Sequence, residues 1–213
     1  NIARITGPAL AGPVILLGGP TSAFGLYAGF AVLAALLTAG VAVKRTVTRA
    51  RMMEPILRRL SGGFRHARER HPAITALLIV AATSVFGSSY MGQIPVLAAQ
   101  VSSDSDRAYL VLMTLSGLGA LVGVLLVARR GLPVTLTPAL AQLIVLGAVV
   151  TAIGFTATFP LMAGLIVLGG GLTFSIMNSI NSLLQHLVDD EQRGRVLSLY
   201  FVGWGGLLPL GGL

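Results

Sequence analysis

Cysteine is absent from the 213 residues. That excludes disulfides, thiol catalysis and cysteine-based metal sites. Charge is scarce as well. Only 10% of residues are charged, against about 25% in an ordinary soluble domain. The acids are Glu54, Glu69, Asp104, Asp106, Asp189, Asp190 and Glu191, all in loops or at the ends of apolar runs. A proton relay through a membrane normally uses embedded Asp, Glu or His, and this sequence embeds none. His66 and His71 lie in a basic stretch and His186 ends an apolar run, with no pair at zinc-ligand spacing. Gly-x-Ser-x-Gly elbows and phosphate-binding loops are also missing. The sequence therefore predicts no active site, no cofactor and no metal.

What fills the chain instead is apolar. Hydrophobic residues make up 54% of it, and the mean hydropathy is +0.86. About 20 apolar residues are needed to cross a ~30 Å hydrocarbon core as a helix, and several runs reach or approach that length. The predicted segments are 1–17, 22–43, 73–101, 107–128, 134–158 and 160–186, with a seventh beginning near Val196. Gly18, Gly19 and Pro20 predict a tight turn between the first two. Asn1 opens directly into apolar sequence and Leu213 ends inside another such run. The sequence reads as a fragment with helices missing on both sides, which by itself should not transport.

The few charges are sorted. Lys44, Arg45, Arg49, Arg51, Arg58, Arg59, Arg65, Arg68 and Arg70 crowd one loop, with Arg129 and Arg130 two crossings later. Arg193 and Arg195 follow two crossings after that, and the intervening turns hold only Arg107. This is the positive-inside pattern of a multi-pass membrane protein, and it places the loop 44–72 on the cytoplasmic side. The net charge of +8 is thereby explained without a nucleic-acid partner. The long loop suggests a boundary between two half-bundles. We expect 1–43 to be the last two helices of one half, 44–72 a basic linker, and 73–213 the first five helices of the other.

Within the linker, Met53, Ile56, Leu57, Leu60 and Phe64 recur at three- and four-residue spacing with arginines between them. Two readings fit. The helix lies on anionic lipid headgroups, or it is a linker helix packing its apolar face on the bundle.

Polar residues inside membrane helices are costly and tend to face cavities. In segment 160–186, Gly171, Ser175, Asn178, Ser182 and Gln185 share one helical face. Segment 73–101 offers Ser84, Ser88, Ser89, Tyr90 and Gln93 at comparable depth. These two helices are candidates for a substrate pathway, with Ser88, Gln93, Ser175, Asn178 and Ser182 as its polar lining. The competing reading is that small polar residues hold helices together by interhelical hydrogen bonds. Arg4 is the one ionisable residue well inside an apolar run. It pairs with a carboxylate or an anionic substrate, or it snorkels to the surface.

The first segment carries Gly7-Pro8-Ala9-Leu10-Ala11-Gly12. Proline removes a backbone donor and permits a bend, and the glycines admit close helix contact. This resembles the antiporter motif on the fifth helix of major facilitator superfamily exporters. Asn1-Ile2-Ala3-Arg4 ahead of it is similar to the enterobactin-exporter and macrolide-efflux branch. So are Asp190-Glu191-Gln192-Arg193-Gly194-Arg195-Val196-Leu197-Ser198-Leu199 and Gly205-Gly206-Leu207-Leu208-Pro209-Leu210-Gly211, which resemble its loop between helices ten and eleven and its eleventh helix. One departure stands out. Gly123 is followed by Val127 where the superfamily's loop motif would carry aspartate, and only Arg129, Arg130 and Gly131 remain.

The resemblance implies an all-α, partial major facilitator-type bundle, helices five to eleven of twelve, in a bacterial inner membrane. It implies proton-coupled export of an amphipathic small molecule such as a drug, macrolide or siderophore. Any proton carrier then lies in other helices. Asp190, Arg193 and Arg195 become candidates for a cytoplasmic gate remade during alternating access, against the alternative of a solvated turn. An uptake permease of the same fold and the membrane domain of an ATP-driven transporter, or a non-transporting scaffold, remain as alternatives. Substrate identity, coupling ion and oligomeric state are not legible.

Overall fold

A computed structural model describes residues 2–40, 56–69, 71–129 and 135–211. Every regular element among them is helical, and no strand occurs. The helices are α1 (Ile2–Ala39), α2 (Ile56–Glu69), α3 (His71–Ala82), α4 (Ser89–Val101), α5 (Ser105–Arg129), α6 (Leu136–Gly154), α7 (Phe159–Leu187), α8 (Asp190–Phe201) and α9 (Leu208–Gly211). Short π turns at Thr83–Gly87 and Val202–Gly206 join α3 to α4 and α8 to α9. Five helical stretches among the described residues are long and apolar enough to cross a membrane: Thr21–Ala39, His71–Val101, Ser105–Arg129, Leu136–Gly154 and Phe159–Leu187. The chain is thus a partial multi-pass helical bundle.

The chain divides into two compact units, Asn1–Pro55 and Ile56–Leu213. In the first, α1 has one non-helical residue, Gly19, at φ 72° and ψ 177°. That positive φ is open to glycine and strained for a side-chain-bearing residue. Ser22 Oγ donates to the Val14 carbonyl at 2.9 Å and to the Gly19 carbonyl at 2.6 Å. In a continuous helix, residues eight apart lie about 12 Å apart along the axis, so the chain bends sharply at Gly19. The Gly18-Gly19-Pro20 turn is therefore a single-residue break between two helical arms.

In the second unit α7 is the central element, touching α3, α4, α5, α6 and α8. Two buried apolar clusters form its core. One gathers Ile79, Val80, Leu146, Ile176, Ile180, Leu184, Val196 and Tyr200. The other gathers Tyr90, Ile94, Leu112, Ile153, Met162 and Ile166. Asp104 Oδ1 accepts from the Arg107 amide at 3.1 Å and satisfies an otherwise open donor at the start of α5. Pro160 lies in the first turn of α7, where the missing amide proton costs nothing.

Of the apolar stripe read on α2, Phe64 is the member whose side chain is described. Among its described side chains, Gly63 and Ala67 are buried, while Phe64 is 51% exposed. A methyl group at Gly63 would lie 3.0 Å from the Arg195 carbonyl oxygen. The helix therefore meets α8 through small residues, and the contact joins the basic linker to the 189–195 turn. Met53 lies outside the described residues, as do the side chains of Ile56, Leu57 and Leu60.

Candidate functional site

The seam between α5 and α7 is built on glycine. A methyl at Gly119 would run into the Val167 carbonyl, one at Gly123 into the Gly171 carbonyl, and one at Gly170 into the Ser116 carbonyl. Small residues in membrane helices serve this purpose, letting backbones touch where a side chain would hold them apart. Beside the seam, α6 leaves a cleft of about 420 Å³. Gly119, Gly123 and Gly171 line it together with aliphatic residues of α5, α6 and α7. Its polar groups are Gln142 of α6 and Ser175 of α7, and Ser175 Oγ donates to Gln142 Oε1 at 3.0 Å.

Ser175 is the predicted pathway residue that lines this cleft. It is 6% exposed, and its hydroxyl serves as an interhelical hydrogen bond at the same time. The sequence reading missed its partner, Gln142. The signal was available, because Gln142 is the one amide side chain in the apolar run 134–158.

The other pathway candidates lie elsewhere. Ser88 is buried and donates to the Thr83 carbonyl at 3.2 Å, closing the first π turn. Gln93 stands exposed on α4. Asn178 is half-buried and its Nδ2 donates to the Phe174 carbonyl at 2.8 Å. Ser182 is half-buried one turn further along α7. Gly7, Pro8 and Gly12 lie within α1, with no break in the helix there, as does Arg4. Their side-chain surroundings fall outside the described residues.

The two π turns meet. Ser84 Oγ in the first donates to the Trp204 carbonyl in the second at 3.1 Å. A π turn inserts one residue and disturbs the regular backbone ladder, and this bond gives one carbonyl a partner. The Trp204 ring stands edge-on to Phe174 of α7 at 6.3 Å between centroids. On α8, Tyr200 donates through its hydroxyl to the Met177 carbonyl at 3.1 Å. A further buried polar group sits where α4, α5 and α7 converge. The Tyr90 hydroxyl lies beside those of Ser116 and Thr173, yet neither the Tyr90 hydroxyl nor Thr173 Oγ1 completes a hydrogen bond of ordinary geometry.

At the gate candidates, α8 begins at Asp190, and the amides of Gln192 and Arg193 donate to the Asp189 carbonyl at 3.0 and 2.9 Å. Arg193 and Arg195 are half-buried. Arg195 lies against α2, where a methyl at Gly62 would be 3.1 Å from its Nη1. The Asp190 side chain and residues 130–134 fall outside the described residues. No group of three or more His, Cys, Asp or Glu capable of holding a metal occurs among the described residues.

The family model for transmembrane secretion effectors, of the major facilitator type, matches residues 1–213. The chain belongs to that family. It is a multi-pass membrane transporter, and its environment is the lipid bilayer and a small-molecule substrate. No curated protein and no solved structure matches this secretion-effector chain.

Proposed function

We propose that this transmembrane secretion effector is an inner-membrane secondary exporter of amphipathic small molecules, driven by protons through alternating access. The observation that carries the reading is the family match along the entire sequence. Export is supported by the resemblance of Gly7-Pro8 to Gly12 to the antiporter motif. The basic loop 44–72 faces the cytoplasm, as the positive-inside pattern requires. Gln93, Ser175, Asn178 and Ser182 contribute polar groups to the pathway. Asp190, Arg193 and Arg195 form a latch at the cytoplasmic end, and α2 bears on it through Gly62 and Gly63.

The lining chemistry supports an amphipathic cargo. The described spans present amides and hydroxyls set among aliphatic side chains, a mixture that suits an apolar body with a few hydrogen-bonding groups. The test is flux of a neutral lipophilic dye in everted membrane vesicles energised to be acidic inside. Export by proton exchange predicts dye accumulation that collapses when the proton gradient is dissipated. Accumulation only under the opposite gradient identifies an uptake permease, and accumulation that needs ATP but no gradient identifies an ATP-driven system.

A further inference from the structure

The cleft beside the α5–α7 seam has features that helix packing alone does not explain. Its volume of about 420 Å³ falls within the range of small-molecule sites, roughly 300–1,000 Å³. Its rim is aliphatic, with Val122 53%, Leu126 50% and Leu168 56% exposed. No charged residue lines it. Its polar centre is the Gln142 amide. Ser175 uses the oxygen of that amide, and the nitrogen donates to no other group among the described residues. An amide nitrogen facing an apolar cleft without an acceptor is expensive. Glutamine is therefore a poor choice if the cleft only holds hydrocarbon.

We propose that this cleft binds a neutral, largely apolar molecule carrying one hydrogen-bond acceptor, a ketone, ester or ether oxygen, which takes the proton of Gln142 Nε2. Ser175 is the positioning residue. Its hydroxyl holds the amide oxygen and so turns the nitrogen toward the cleft. Gly119, Gly123 and Gly171 are part of the lining, and a side chain there would press on the backbone of the facing helix and part α5 from α7. A lipid acyl chain would fit the aliphatic rim but offers the amide nothing. A cation would find no carboxylate, and an anion no positive charge. The site lies within one compact unit and needs neither a transport direction nor a coupling ion. It can therefore hold if the export reading fails, and fail if export holds.

Benzophenone is a suitable probe, being an apolar ketone that inserts into C–H bonds on illumination. With the protein in lipid nanodiscs, adducts are expected to concentrate at Val122, Leu126 and Leu168 and to saturate with dose. Unlabelled fluorenone, a ketone of similar shape, should suppress them at least fivefold. Diphenylmethane, which has no acceptor, should suppress them less than twofold at the same concentration. Gln142→Met should lower labelling at those three positions about fivefold and leave labelling of Phe24 in α1 unchanged. The competition series uses the unaltered protein, so it decides the matter even if that variant does not fold. Labelling spread evenly over the exposed apolar faces, or equal suppression by both competitors, would overturn the proposal and leave the cleft to lipid.

Discussion

Two of the places in the unit Ile56–Leu213 where helices approach backbone to backbone are built differently. At the α5–α7 seam the glycines lie in unbroken α-helix on both sides, and Gly119, Gly123 and Gly170 meet carbonyls directly. Where α3 and α4 meet α8 and α9, both partners pass through a π turn. Gly211 there faces the carbonyls of Val85 and Ser84, inside the first π turn. Close approach is common to both. In the seam both helices run on as regular α-helix. At the π turns the ladder is interrupted, and side chains such as Ser84 and Ser88 supply hydrogen bonds in its place. Small residues thus bring helices together, while continuity of the ladder decides how firmly they are held.

Four substitutions break or sharpen this contrast. The largest effect is expected at the seam. Gly123→Val should prevent α5 from closing on α7, because the clash is with the Gly171 backbone rather than with a movable side chain. Overpacking costs typically about 1–3 kcal/mol and occasionally more. The variant should lose its folded fraction in a detergent unfolding titration. Gly211→Ala presses a methyl on the first π turn, where the interrupted ladder gives more easily. Its cost should be visibly smaller than that of Gly123→Ala in the same titration.

Ser84→Ala removes one hydrogen bond between the two π turns. A loss of about 1 kcal/mol is expected, read as a modest shift in midpoint. Hydrogen exchange of the Val202–Gly206 amides should rise while exchange in α5 stays constant. The smallest effect is expected at Tyr90→Phe. Because the Tyr90 hydroxyl completes no hydrogen bond, its removal should leave the midpoint within about 0.5 kcal/mol, or raise it. A large loss would mean that the hydroxyl holds a water or a solute with Ser116 and Thr173.

The spans were legible because crossing a membrane imposes length and hydropathy together. The segment read as 107–128 is α5, Ser105–Arg129, and the one read as 160–186 is α7, Phe159–Leu187. The segment 134–158 proved shorter at its far end. Its helix α6 stops at Gly154, where the chain turns and the Phe155 and Thr156 amides donate to the Ala152 and Ile153 carbonyls. The π turns were not legible, because Thr83–Gly87 has the composition of the helix around it and the extra residue shows only in the hydrogen-bond pattern. The contact of α2 with α8 was not legible, for a physical reason. A hydrophobic stripe marks large residues, and the contact with α8 is made where side chains are smallest, at Gly63. The shared face of Gly171, Ser175, Asn178 and Ser182 was a correct count of helical angle. Angle alone could not say that its upper end meets α5 and Gln142 while its lower end stays half-buried.

The contrast between seam and π turns is tested most directly by locking the latter during transport. The chain has no cysteine, so Val80→Cys with Gly203→Cys introduces a single pair. A Cβ at Gly203 would lie 3.4 Å from Val80 Cγ1, near enough for a disulfide after small adjustment. With these residues part of a transport-competent protein, the reduced form is predicted to move the dye at the rate of the parent. The oxidised protein is predicted to stop, and to recover fully on reduction. Unchanged transport with the disulfide formed would contradict the account, since it would show that the two π-turned elements move as rigidly together as α5 and α7.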